Sequence, residues 1–140
     1  MRIELLTIGD ELLDGVIPDT NSAWLCEMIG QLGGQVSRVQ SVRDDLDVLV
    51  AQLKQIAERA DICICTGGLG PTPDDLTVDA LAIAAGMELR HREDVWADIV
   101  TMFGGRTPSE NNRRQARIPD GAIALRSSVG TAPGIRVDIG

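Results

Sequence analysis

Three times within its first 86 residues the chain passes from a short apolar run to apolar residues at helical spacing. Ile3 to Ile8 precedes a stripe within Asn21 to Leu32 (Trp24, Leu25, Met28, Ile29, Leu32) that stops at Gly33-Gly34. The β-branched stretch Val36, Val39, Val42 precedes the clearest stripe, Asp45 to Ala60. Ile62-Cys63-Ile64-Cys65, apolar on both faces, precedes a helix that resumes at Thr77 and closes at Gly86. Parallel strands need crossovers of helix length, so this alternation predicts an α/β fold: a mainly parallel sheet with helices on both faces. At 140 residues, one domain spanning 1–140 is expected.

The second half is less regular. Val95, Trp96, Ile99, Met102 and Phe103 form another helical stripe, broken at Gly104-Gly105. Thr107-Pro108-Ser109-Glu110 reads as a capping box with proline at the first helical position, predicting a helix to about Arg117. Ala122 to Leu125 and Ile135 to Ile139 flank a Gly/Ser/Pro loop and predict an antiparallel hairpin on the sheet edge.

Composition removes whole classes of function. With 13 basic and 21 acidic side chains the net charge is −8, and there are two Trp, one Phe and no Tyr. Neither a basic footprint nor an aromatic platform for nucleic acid is present, so no nucleic-acid partner is expected. No run is long enough for a membrane span, and the start Met1-Arg2-Ile3-Glu4 does not read as a signal peptide. Cys26, Cys63 and Cys65 lack CxxC spacing; Cys63 and Cys65 share one strand face and read as reduced core thiols. A cytoplasmic protein is expected.

In an open parallel sheet, ligands bind beyond the carboxyl ends of the strands. With the first strand central, three loops converge there: Gly9-Asp10-Glu11, Arg43-Asp44-Asp45 and the segment Gly67 to Asp75. Gly67, Gly68 and Gly70 leave backbone N–H groups unobstructed by Cβ, which suits a phosphate. The neighbouring carboxylates would repel that phosphate, and a hard cation such as Mg²⁺, held by one or two of them, resolves the conflict. Structural readings stand beside these. Asp44 is placed to cap the Asp45 helix. Asp74 and Asp75 are first-turn acids if a helix begins at Thr72, and loop acids with no structural role if it begins later, as a Leu76–Leu81 staple and a Thr77 cap suggest. His91, in Arg90-His91-Arg92-Glu93, reads as a solvated surface residue.

Four motifs carry a resemblance. Gly9-Asp10-Glu11-Leu12-Leu13-Asp14-Gly15-Val16-Ile17-Pro18-Asp19-Thr20-Asn21 looks like the opening signature of the competence/damage-inducible protein A (CinA) family. Thr66-Gly67-Gly68-Leu69-Gly70-Pro71-Thr72 with Asp74-Asp75-Leu76-Thr77 resembles its central signature. Asn112-Arg113-Arg114-Gln115-Ala116 and Gly130-Thr131-Ala132-Pro133-Gly134 are similar to two more. The resemblance implies a three-layer αβα domain of the MoaB/Mog molybdopterin-binding fold, with a nucleotide or pterin phosphate at the carboxyl-end loops.

For CinA proteins it implies metal-dependent hydrolysis of the pyrophosphate in ADP-ribose; for the molybdopterin relatives, transfer of AMP to a pterin phosphate. Carried over by motif, Asp75 and Asp44 are the catalytic acids. Asp10, Glu11, Asp74 and Asp75 are candidates for holding Mg, Mn or Co. Gly9, Gly67, Gly68, Gly70, Thr72, Asn112 and Arg113 line the ligand, Arg113 through a bidentate guanidinium–phosphate contact. Relatives of the fold form dimers or trimers, so a homodimer or homotrimer is expected. CinA chains usually continue into a Leu-Pro-Gly-Pro-type loop and often an amidohydrolase domain; the sequence ends at Gly140 before both, and the deamidase activity is not carried over.

Overall fold

Every residue of the first strand, β1 (Ile3–Ile8), is buried, because it forms the centre of the sheet. In the computed structural model, which describes residues 1–140, β1 lies between β2 (Val36–Val42) and β3 (Ile62–Thr66), parallel to both. Alternation along β1 sends its side chains to two different cores. Ile3 and Leu5 pack with Ile29 and Leu25 of α2 (Thr20–Gln31). Leu6 and Ile8 pack with Leu49, Leu53 and Ile56 of α3 (Leu46–Ala57) and with Ala80 and Leu81 of α4 (Thr77–Ala85). The three-layer α/β architecture follows from these two clusters. A short α1 (Asp10–Leu13) follows β1 directly.

Cys63 and Cys65 do share the α3/α4 face, with their sulfurs 3.7 Å apart, and all three cysteines are free thiols. Being covered on both faces, however, is a property of β1. β3 sits at the sheet edge with Ile62 41% exposed. The Cys63 sulfur beside it, together with burial, pushes the Cys65 thiol far above its ordinary value.

The remaining strands form two antiparallel pairs, β4 (Leu89–His91) with β5 (Arg117–Pro119) and β6 (Ile123–Leu125) with β7 (Gly134–Arg136). The hairpin expected on the sheet edge is real, but it is not hydrogen-bonded to the parallel sheet. It joins the main core through Val137 and Ile139 instead. A third cluster seats α5 (Glu93–Met102), through Val95 and Ile99, on Ala116, Ile118 and Ala122. No helix is long and apolar enough to cross a membrane.

Several caps differ from the sequence reading. Asp45, not Asp44, caps α3, its carboxylate accepting from the Val48 N–H at 3.0 Å. Thr77 is the first helical residue of α4 rather than its cap, although Leu76 and Leu81 do pack in one cluster. The expected helix at 107–117 is a 3₁₀ helix over Glu110–Ala116, capped by Ser109 with Asn112 completing the box. Asn112, unlike Glu110, can both accept from Ser109 and donate onward to Gln115.

Candidate functional site

Ile8 pairs with Val42 and Thr7 with Thr66, so the three parallel strands end side by side and their loops meet. The backbone joins the first two: the Asp10 N–H donates to Asp44 Oδ2 and the Asp44 N–H to Asp10 Oδ1, each at 3.3 Å. Because Asp45 takes the cap, the Asp44 carboxylate is left for this pairing. Arg43 steadies the arrangement from outside, 2.7 Å from Asp14 and 3.6 Å from Asp10.

Burial raises the Asp44 carboxyl above its ordinary value; the Asp10 N–H offsets part of this, and the charges of Asp10, Glu11 and Asp75 raise it again. The Asp44 carboxylate therefore feels acids from both neighbouring loops. Asp74 is exposed and is not among the acids that act most on Asp44.

The glycine loop is held by its neighbours. Gly67 has φ +98°, and a Cβ there would collide with the Ile8 carbonyl. The Thr77 hydroxyl donates to Gly67 O at 2.8 Å and the Thr77 N–H to Gly68 O at 3.2 Å, locking the loop to the start of α4. Asp75 does have a structural role, contrary to the late-start reading. Its Oδ2 accepts from the Thr72 N–H (2.9 Å) and hydroxyl (2.7 Å), and a Cβ on Gly70 would come within 2.5 Å of the same oxygen. Thr72 is thereby engaged with Asp75.

A small open cleft of about 20 Å³ lies against this loop, lined by Gly68, Leu69, Gly70, Asp75, Asp79 and Arg114 among others. Of the expected ligand residues, Gly68 and Gly70 line it, and Gly9, Gly67, Thr72, Asn112 and Arg113 do not. Arg113 lies over the Trp96 ring, 4.6 Å from its centroid, with Nε 3.3 Å from Glu110. Asn112 is committed to the capping box. Neighbouring positions on a 3₁₀ helix point about 120° apart, so it is the next residue, Arg114, that reaches the cleft.

Gln115, which no sequence argument singled out, is the hub. Its Nε2 donates to Leu69 O at 3.2 Å, while its Oε1 accepts from Asn112 Nδ2 (3.1 Å) and the Thr131 hydroxyl (2.9 Å). One buried amide thus ties the glycine loop to both later motifs. Gln115→Leu leaves these partners unmatched and is expected to lower stability by about 2 kcal/mol or more, read by urea unfolding.

No three His, Cys, Asp or Glu side chains converge to hold a metal unaided. Magnesium needs only one or two carboxylates when phosphate oxygens and water complete its shell. Asp10 and Asp44, hard oxygen donors crowded by like charge, fit that arrangement.

The family described as "Probable molybdopterin binding domain" matches residues 4–139. A CinA-like protein of Frankia casuarinae is 44% identical over the whole chain and 34% of its own length; one from Synechococcus is 47% identical over 95% of this chain and 32% of its own. The chain spans about a third of the length of the curated relatives it matches. A crystal structure of CinA from Thermoplasma acidophilum superposes with TM-score 0.91 at 34% identity, over 99% of this chain and 82% of that one. MoaB from Thermus thermophilus, at 22% identity and TM-score 0.55 over 84% and 78%, shares the fold.

Proposed function

Since the chain belongs to the molybdopterin-binding domain family, and within it to the CinA-like proteins, we propose that its loop cluster binds the phosphate of a nucleotide and hydrolyses a phosphoanhydride of the ADP-ribose type with a divalent cation. The observation that carries this reading is the reciprocal Asp10–Asp44 pair, in electrostatic reach of Asp75 and Glu11, beside a glycine loop at the strand ends.

Asp10 and Asp44 would hold magnesium, manganese or cobalt, which supplies charge neutralisation at the phosphate when bound. The chain's own groups do the rest. N–H groups of the Gly67–Gly70 loop face the phosphoryl oxygens and stabilise the charge that grows on them. The Asp75 carboxylate then takes the proton of the attacking water. The new bond joins that water oxygen to phosphorus. The bridging P–O bond breaks, and ADP-ribose would yield AMP and ribose 5-phosphate.

The test is ADP-ribose turnover with Mg²⁺, Mn²⁺ or Co²⁺. Asp44→Asn, which keeps an oxygen for the Asp10 N–H, is expected to lower kcat by about 100-fold or more. Asp75→Asn preserves the Thr72 contact and separates charge from scaffolding. Unchanged turnover in Asp44→Asn, or none in wild type with any metal, overturns the hydrolase reading. A second reading, binding of a nucleotide or pterin phosphate without hydrolysis, draws on one observation: Asp75 Oδ2 is already engaged by Thr72. Metal-dependent nucleotide affinity by calorimetry, with no product formed, would favour it.

A further inference from the structure

We propose that Arg114 and Arg117 form an anion subsite that takes a phosphoryl group of the ligand, in the cleft beside the glycine loop. This rests on the reading that the cleft receives a phosphorylated ligand. Both arginines line the cleft together with Gly68, Gly70, Asp75 and Asp79. Their only carboxylate partner is Asp79 of α4, 3.6 Å from Arg114 Nη2 and 3.9 Å from Arg117 Nη2. Both distances exceed those of hydrogen bonds, so the guanidinium N–H groups turned to the cleft remain uncommitted.

In a chain of net charge −8, several arginines face as many acids or more: Arg43 meets Asp10 and Asp14, Arg90 meets Glu88 and Asp120, and Arg59 meets Glu4. Only at Asp79 do two guanidiniums share one carboxylate, neither of them at hydrogen-bond distance from it. At 33% and 43% exposure both guanidiniums are partly withdrawn from water, where their pull on an anion is stronger than at an open surface.

The opposite wall suits the same ligand. Gly68 and Gly70 present backbone without side chains, and Gln115, adjacent to Arg114, fixes the Leu69 carbonyl between them. Asp79 is then a positioning residue. It keeps both guanidiniums in the cleft before ligand arrives and competes with the phosphoryl group for them.

Inorganic pyrophosphate, titrated calorimetrically in excess EDTA, tests this. Without metal the acids of the three loops can only repel the probe, so binding reports the arginine wall. Saturable binding to wild type is expected, weakened about tenfold or more by Arg114→Ala and by Arg117→Ala. Arg106→Ala, which removes the same charge from the α5 side of the molecule, should change it by no more than about twofold. Asp79→Asn removes the competitor and should tighten binding about threefold or more, a gain that misfolding cannot produce. No saturable binding by wild type, an Arg114→Ala loss equal to that of Arg106→Ala, or weakening by Asp79→Asn each overturns the subsite. A failed hydrolase reading would show instead as absent metal-dependent turnover, with the EDTA titration unaffected.

Discussion

Gly67→Ala is expected to destabilise the chain by roughly 2–5 kcal/mol and to abolish ligand binding at the loop cluster. Two costs add at this position. At φ +98° any side chain is strained, and the new Cβ would run into the carbonyl of Ile8, the last residue of the central strand. That carbonyl belongs to backbone buried on all sides and has no rotamer to change. The loop would have to move away from β1, breaking its Thr77 contacts and pulling Gly68 and Gly70 from the cleft. Gly86 gives the contrast: it caps α4 at φ +66° with open space around it. Gly86→Ala should therefore cost only about 1 kcal/mol, from conformation alone, and leave binding intact. Thermal unfolding of the two variants, with nucleotide titration, separates collision from backbone preference.

Arg59→Met is expected to cost about 3–5 kcal/mol, because it strips a buried carboxylate of its partner. Glu4 is 4% exposed in the central strand, on the face covered by α3 and α4. Arg59 grips it with both prongs, Nε to Oε1 and Nη2 to Oε2, each at 2.9 Å, and Gln40 adds a third bond at 3.2 Å. The Arg59 hydrogen bonds outweigh the opposing effect of burial and hold the Glu4 carboxyl below its ordinary value. The sign of the pH effect follows. A depressed carboxyl contributes stability that is complete above the unfolded value, about 4.3 for glutamate. That contribution is lost as pH falls through the lower folded value. Wild type should thus lose its advantage over Arg59→Met on acidification through that window. A stability difference that stays constant across it would contradict the role given to the pair.

What the sequence disclosed depended on how local the determining interaction is. The α3 stripe from Leu46 to Ala57 and the mostly apolar β1 reflect burial repeated along a segment, and periodicity reports that directly. Caps were legible to within a residue or two and no better: Asp44 and Asp45 are chemically equal candidates, and only the turn geometry frees the first for the site. The same uncertainty separates Arg113 from Arg114. One rests on Trp96 and the other lines the cleft, and no spacing rule anticipates a 3₁₀ helix where an α-helical box is written. β4 and β5 have three residues each, too few to show a period. Glu4 with Arg59 and Gln115 with Leu69 join residues 55 and 46 positions apart, and nothing in the neighbouring sequence marks them. Asn112 and Thr131 could have pointed to a shared partner, since both lie in motifs and both can donate; that partner is the Gln115 side chain.

Manganese binding followed by electron paramagnetic resonance, with and without ADP-ribose, bears most directly on the claim that the strand-end loops hold a cation completed by the ligand. Mn²⁺ alone should bind weakly, because no three side chains form a cage. Added ADP-ribose should tighten it about tenfold or more, and Asp44→Asn should remove that gain. Tight Mn²⁺ binding without nucleotide, or a gain that survives Asp44→Asn, would contradict it.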